Sequence, residues 1–583
     1  MLQFKDFYHA DRILEMLCKY RVKLASRRNK DHLIHLHTAA EKHNYHQARQ
    51  GKNEELLCSF FPPRKKWKTV VKEKRINKGQ RRNTSEKTMI SLHETIRYYR
   101  KHQPDAPFFL KLDAFILEIQ RGIEHGTHTI SAPTIIPQPK EDKLSLTEEN
   151  VCRPIASFGL KDKLILSITN RYLTQILDPF FLNSSYAFRY KRLINGEMMC
   201  PTHHEPVQEI LDFRERYDGK KLYVAECDMK KFFDTVHHSL IKKIFKGLFQ
   251  RKGLTQCPSQ DLVNAKRILM EYLAAYAFTT NVIPLNQQHF DKKKIPKGQY
   301  GWVEAELIKN GYYKRPRKVR IGIPQGGALS GLIANAVLHG IDRKVHDKND
   351  SDLLYLRFCD DMIIIHPNQD QCSQAFERYL KGLQSRKLVI HSPVNAPYSS
   401  AKLFWKEKSK NCYQWGGSEA TGSPWIGFVG YEIHHQGDIR VRKRGLRNEM
   451  KKQFKVMGDL KLILKDPKCR SSETAIYESA ANRLIGMSVG RVNLWNYKNV
   501  VSEMCWVSGY RLLTDNKHTR IQLKRLDASR SRLLAKLRRK IARAKTEKPD
   551  TKGKKKKDKK PGEPIYYGYP FSYYHHALKK KAQ

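Results

Sequence analysis

Phe358-Cys359-Asp360-Asp361 sets two adjacent carboxylates between the apolar runs Leu353-Leu354-Tyr355-Leu356-Arg357 and Met362-Ile363-Ile364-Ile365. Two short strands meeting at a polar dipeptide predict a β-hairpin with the acids at its tight turn. Adjacent like charges repel unless a cation sits beside them, so a divalent metal site is the economical explanation. For this segment alone, a solvated turn is the competing one. Upstream, Lys221-Leu222-Tyr223-Val224-Ala225-Glu226-Cys227-Asp228 is an apolar strand ending in an acid, and Phe232-Phe233-Asp234 follows. A strand-end carboxylate beside an acidic hairpin supplies the acids for two Mg²⁺ ions. Such ions lie about 3.5–4 Å apart and clamp the attacking and leaving oxygens of a phosphoryl displacement. Mg²⁺ suits this because it keeps water and substrate phosphate in its shell and needs few protein carboxylates.

Positioning these acids requires an antiparallel sheet and a support behind it. Gly322-Ile323-Pro324-Gln325-Gly326-Gly327-Ala328-Leu329-Ser330 is a Pro/Gly-rich loop opening an apolar helix that carries Leu332, Ala334, Asn335 and Leu338. Backbone can approach a ligand closely at such a helix start. A helix is expected over Phe108–Gly126, followed by an extended Pro-rich segment from Ser131 to Pro139. Residues 1–57 show helical apolar spacing (Ile13, Leu14, Leu17, Val22, Leu24), and residues 62–82 form a basic linker or RNA-contacting arm. The interval from Asp234 to Ile321 is long enough to hold an inserted loop. Beyond residue 445 the pattern is helical and basic, with Leu526, Leu533, Leu537 and Ile541 near heptad spacing. That helix either lies along a duplex backbone or packs on a partner. Lys548–Lys560 is low-complexity and solvated, and a tail with Tyr566, Tyr567, Tyr569, Tyr573 and Tyr574 follows.

Asp-x-x-x-Phe-Phe-Asp, then Gly-x-Pro-Gln-Gly-Gly-x-Leu-Ser, then Phe-Cys-Asp-Asp, in that order, resembles a reverse transcriptase. The nearest branch is the prokaryotic one that includes group II intron-type and defence-associated enzymes. Arg153-Pro154-Ile155, Lys161-Asp162-Lys163 and Ser185-Tyr186-Ala187-Phe188-Arg189 are similar to the family's fingers motifs. Gly427-Phe428-Val429-Gly430-Tyr431 is similar to the strand leading into its thumb, so the likeness spans roughly residues 115–445. The resemblance implies an α+β right-hand polymerase of fingers, palm and thumb, with an antiparallel palm sheet. Its parts would be a helical N-terminal extension (1–107), fingers (108–220), palm (221–440, with an insertion about 245–320), a helical thumb (441–545) and a basic, Tyr-rich tail (546–583).

In such an enzyme Asp228, Asp360 and Asp361 hold two Mg²⁺ ions, with Mn²⁺ an admissible substitute. Arg153, Lys161 and Lys163 are the fingers cations for the triphosphate, arginine gripping phosphate bidentately and lysine as a point charge. Arg189 is a further candidate, with buried structural pairing as the alternative. Phe233 would exclude a 2′-hydroxyl and so favour deoxynucleotides, with core packing as the competing role. Phe232 would point the other way along the strand. Gln325 would line the nucleotide pocket, and Asp234 would cap the following helix. Cys227 and Cys359 beside the acids are small buried residues in this reading.

Lys plus Arg total 110 against 58 Asp plus Glu, a formal charge of +52 over 583 residues. That surplus is best neutralised by a polyanion, and phosphate backbones do so through counterion release. Eleven cysteines without a Cys-x-x-Cys pair suggest reduced thiols, a cytoplasmic setting and no zinc site. No run of 18 or more apolar residues suggests a membrane span, and the N-terminus lacks a signal peptide's apolar core.

The segment after the hairpin, His391-Ser392-Pro393-Val394-Asn395, departs from the family pattern. The lysine expected to protonate pyrophosphate therefore has no plain counterpart, and Lys402 is the candidate. The expected activity is RNA-directed DNA polymerisation from dNTPs, giving a DNA product. The expected setting is bacterial antiphage defence, with an RNA template or structured non-coding RNA as partner. A homo-oligomer or partner protein stays open. Alternatives are an untemplated or protein-primed DNA polymerase, a tail tyrosine serving as primer, and a maturase-like RNA-binding protein without catalysis.

Overall fold

The computed structural model describes residues 3–30, 51–71, 73–77, 80–82, 84–141, 144–194, 197–251, 254, 258–346, 350–396, 401–416, 422–465, 473–489, 506, 508–546 and 571–572. The chain divides into two compact units, residues 1–17, 59–61 and 103–429 in one and residues 18–58, 62–102 and 430–583 in the other.

The first unit is built on two sheets. One is three-stranded: β1 (Thr134–Pro139) pairs antiparallel with β2 (Asn150–Ser157), setting Gln138 opposite Arg153. The expected extended Pro-rich segment is β1. Pro137 and Pro139 cost nothing there, because β1 is an edge strand. After β3 (Arg192–Ile194) and β4 (Glu197–Met199), which form a small hairpin, comes β5 (Leu222–Cys227) of the second sheet. Then β6 (Gly298–Tyr300) returns to add a parallel third strand to the first sheet, pairing with β2. Among its described residues, the interval expected to be an inserted loop is built of regular elements. It holds several helices, and β6 ties it to the three-stranded sheet through a cluster of Cys152, Phe290 and Ile295.

The five-stranded sheet has the order β10-β9-β5-β8-β7, with β7 (Leu354–Phe358), β8 (Asp361–His366), β9 (Lys410–Trp415) and β10 (Gly422–Ser423). β5 is antiparallel to both β8 and β9, giving the palm of a right-hand polymerase fold. In β8, Met362, Ile363, Ile364 and Ile365 are all buried, as a strand covered on both faces requires. One face is covered by α6 (Gln369–Ser385), which packs on β5, β8 and β9, and α5 (Ser330–Val345) packs beside α6. The earlier helices are α1 (Pro107–Glu124), α2 (Leu160–Leu177), α3 (His238–Phe249) and α4 (Ser259–Ala275). Residues near the N-terminus dock on these: the Tyr8 hydroxyl lies 2.7 Å from Thr169 Oγ1, and Phe4 N donates to Asp261 Oδ2 at 2.7 Å.

The second unit contains the hairpin β11 (Tyr431–His434) and β12 (Ile439–Val441) and the helices α7 (Lys443–Lys465), α8 (Glu473–Val489) and α9 (Lys517–Thr546). Gln522 of α9 bonds both backbone groups of Val441. Leu533 and Leu537 are buried against Met457, Ile476, Tyr477 and Leu484, so the near-heptad face of this basic helix is spent on α7 and α8. Residues 548–560 and the tail tyrosines lie outside the described residues. Among the described residues no helix is long and apolar enough to cross a membrane.

Candidate active site

Register places the acids. Asp361 pairs with Phe358, which leaves Cys359-Asp360 as a two-residue hairpin loop, and Cys359 takes the left-handed φ of 60° that such loops demand. The turn therefore carries one acid, and Asp361 opens β8. Met362 stands opposite Cys227 of β5, so the hairpin end lies level with Asp228 just past that strand, and it is the Asp360 carboxylate that feels the charge of Asp228. Burial raises the carboxyl pKa of Asp360, and the charge of Asp228 raises it further. Burial likewise pushes the Cys227 thiol up to about 12 and raises that of Cys359; Cys227 is the buried residue expected, whereas Cys359 is only half-buried in the turn.

The hairpin is braced from behind. Arg357, 1% exposed, donates to both oxygens of Asp342 on α5, at 2.8 and 2.7 Å, and to the Cys359 carbonyl at 2.9 Å. Tyr355 adds its hydroxyl to Asp342 Oδ1 at 2.7 Å. Bidentate pairing of this kind fixes orientation as well as energy. In the sequence Arg357 simply closes an apolar run. Its partner lies on another element, and no local spacing signals it.

Phe233 is not on a strand. After Asp228 the backbone turns left-handed at Lys231 (φ 54°), and Phe232–Thr235 form one helical turn. Phe232 is buried and Phe233 half-buried, but the two rings do not point opposite ways as a strand would require: they meet edge to face with centroids 5.3 Å apart. Asp234 does not cap a helix. It is fully buried, accepts from Gln325 Nε2 at 2.8 Å, and faces Lys231 Nζ at 3.8 Å across its other oxygen, which accepts no hydrogen bond. Burial raises its pKa to about 6, against the pull of Lys231, Gln325, Lys140 and Arg153. The loop holding Gln325 closes on this carboxylate. At Gly322 (φ 93°) a Cβ would come within 2.5 Å of Phe278 and 3.1 Å of the Asp234 carbonyl, so only glycine fits.

Gln325 also connects the two sheets of this unit, because its carbonyl accepts from Ala156 N at 2.9 Å, beside Ile155 of β2. That docking brings Arg153 of β2 within electrostatic reach of Asp360 and Asp234. Lys140, just past β1, joins it. Partial burial lowers the Lys140 pKa, as does repulsion from Arg153 and Lys408, while Asp234 and Asp228 pull it up. Lys408 Nζ sits 2.9 Å from Asp228 Oδ2 and 3.2 Å from His391 Nε2. Sequence reading missed Lys140, Lys231, His391 and Lys408. Lys140 follows a Pro-rich strand and Lys408 precedes β9, and only the pairing of distant strands reveals either.

Of the sequence candidates, Asp228, Asp360, Asp361, Arg153 and the Gln325–Asp234 pair gather here. Lys161, in the first turn of α2, is turned instead to Glu118 of α1 at 2.6 Å, and Lys163 is exposed in the same turn. Arg189 is buried and bonded to Asp178 at 2.7 Å, the structural role. Lys402 falls in a helix whose first two side chains lie outside the described ones.

Among the described residues no three His, Cys, Asp or Glu side chains are gathered closely enough to hold a metal ion by themselves. Mg²⁺ does not need a closed protein cage. Oxygen-only donors, mutually repelling carboxylates and a cation already drawn onto Asp228 suit a hard ion that completes its shell with water and phosphate.

Residues 138–393 match the reverse transcriptase (RNA-dependent DNA polymerase) family model. The chain is 24% identical over 195 residues to a putative COX1/OXI3 intron 1 protein of Saccharomyces cerevisiae, covering 33% of this chain and 17% of that protein. It is 21% identical over 196 residues to protein YkfC of Escherichia coli, covering 34% and 38%. The chain thus spans well under half the length of these curated relatives. Among solved structures, telomerase from Candida albicans with a fragment of telomeric RNA superposes with a TM-score of 0.32 at 10% identity, covering 80% of this chain and 73% of that one. Apo telomerase from Candida tropicalis gives 0.32 at 15% identity, covering 72% and 67%.

Proposed function

We infer that this chain, a reverse transcriptase through its residues 138–393, is an RNA-directed DNA polymerase that adds deoxynucleotides to a primer 3′-hydroxyl. The observation that carries the reading is the β5–β8 register, which sets the acidic hairpin against the strand end bearing Asp228. Asp228, Asp360 and Asp361 would hold two Mg²⁺ ions, or Mn²⁺ in their place, supplying activation of the 3′-oxygen and neutralisation of the leaving pyrophosphate.

The remaining work falls to the chain's own groups. Arg153, Lys140 and Lys231 surround the acids with positive charge suited to a triphosphate, arginine through its planar fork and the lysines as point charges. Lys161 and Lys163 are the outer cations of the fingers in this reading. Phe233 blocks the sugar's 2′ position, and Gln325, anchored by Asp234, lines the nucleotide pocket. The surplus of +52 suits a long RNA partner, either template or structured non-coding RNA. Bacterial antiphage defence is the setting we favour, on the resemblance of the ordered motifs.

The test is to purify the protein with any co-bound nucleic acid, add Mg²⁺ with each labelled dNTP or NTP, and sequence the product. DNA complementary to the bound RNA supports the reading. Product of repetitive or unmatched sequence moves it to untemplated synthesis, and RNA binding without incorporation rejects catalysis.

A further inference from the structure

Phe188 has a left-handed backbone (φ 57°) and a side chain that is left 55% exposed. That conformation costs a non-glycine residue on the order of 1–2 kcal/mol, and a large ring recovers little of it while facing water. The conformation is nevertheless fixed from every side. Asn335 on α5, 1% exposed, donates to the carbonyls of Ala187 and Phe188 at 2.8 and 3.4 Å. Ser185, fully buried, donates to the oxygen of the same Asn335 side chain at 3.1 Å. Arg189 follows, its guanidinium on Asp178 and on the carbonyls of Leu182 and Ser185 at 2.7 and 2.6 Å.

The scaffold that holds Phe188 is the catalytic hairpin itself. Tyr186 N donates to the Arg357 carbonyl at 2.9 Å, and Arg357 N to the Ser184 carbonyl at 2.8 Å, so the segment runs as an added edge to β7. The base of the ring rests on Gly331, where a Cβ would come within 2.5 Å of Phe188 Cγ. Gly331 lies at the start of α5, directly after the loop that carries Gln325. An exposed, rigidly aimed aromatic is thus bonded to both halves of the candidate active site, and exposed Lys191 follows it.

The geometry points to Phe188 as a stacking platform for a nucleobase of the RNA template as the strand reaches the hairpin. Every base offers a π-face, so such a platform needs no sequence preference. Lys191, three residues on and exposed, offers a cation for the strand's phosphates. The assignment rests on the polymerase reading for its setting but not for its test.

Affinity for a single-stranded RNA oligonucleotide, measured without dNTP or metal, should fall about 5- to 150-fold in Phe188→Ala, the equivalent of about 1–3 kcal/mol per stacked base. Phe188→Trp should retain it. Phe188→Leu keeps apolar bulk without a π-face and should lose it, whereas a packing role would be rescued by leucine. Thermal unfolding of each variant establishes that it is folded. Unchanged RNA affinity in folded Phe188→Ala overturns the proposal. So does a rise confined to the dNTP KM at saturating template, which would assign the ring to the incoming base. If wild-type protein incorporates nothing while Phe188→Ala still loses RNA affinity, the polymerase reading fails and the platform stands.

Discussion

Lys408 holds its ammonium 2.9 Å from Asp228 Oδ2, on the carboxylate proposed as the first metal ligand, with His391 Nε2 3.7 Å from the same oxygen. The lysine is more than half exposed, so this contact is weak, within the ~0.2–1 kcal/mol of a surface pair. A metal ion displaces it at small cost. Lys408→Met should therefore lower the Mg²⁺ concentration for half-maximal activity by up to about fivefold. A metal titration of primer extension checks this, and an unchanged or raised requirement counts against Lys408 as the competing cation.

Asp342 is the anchor of the hairpin. Its pair with Arg357 is buried on both sides, each side chain 1% exposed, so removing one partner strands a charge in the interior. Asp342→Ala should cost about 3–5 kcal/mol of stability, read by chemical denaturation. A loss under about 1 kcal/mol would mean that the interior admits water and that the brace is not what fixes the turn.

Asp234 gives a pH signature. Its pKa is raised from 3.8 to about 6 by burial, so between those values the folded chain binds more protons than the unfolded one. Stability from this group is therefore fully present below the unfolded value and is lost as pH rises through about 6, a change of about 3 kcal/mol. Asp234→Asn should flatten that slope when unfolding is followed between about pH 4.5 and 7. Parallel pH profiles for the two proteins would show that the carboxyl is not held protonated.

Phe233→Ala should open the space beneath the sugar. Discrimination between dNTP and NTP, as a ratio of kcat/KM, should fall about 10- to 100-fold. An unaltered ratio would assign the ring to packing alone.

How far the sequence foretold this arrangement depends on the range of the interaction. The hairpin was legible because Leu353–Ile365 carries its own alternation of apolar runs and turn. Asp228 was legible because a strand visibly ends on it, and the extended course of β1 because its prolines favour it, though its place at a sheet edge was not. Phe233 was assigned to a strand because nothing local marks the left-handed turn at Lys231, a conformation imposed by tertiary packing. The addition of β6 to β2 pairs Asn150 with Gly298, far apart in sequence, and so looked like a loop. Lys140, Lys408 and the Arg357–Asp342 brace acquire meaning only when strands and helices meet. The Lys161 pair with Glu118 joins two neighbouring helices and is not revealed by the fingers motifs alone.

The most direct test of the central claim is single-turnover extension of a DNA primer on a defined RNA template, comparing wild-type protein with Asp360→Asn under saturating Mg²⁺ and dNTP. The account predicts DNA complementary to the template from the wild type, and a rate about three orders of magnitude lower in the variant with RNA affinity retained. Extension at the wild-type rate by Asp360→Asn, or none by the wild type, would contradict it.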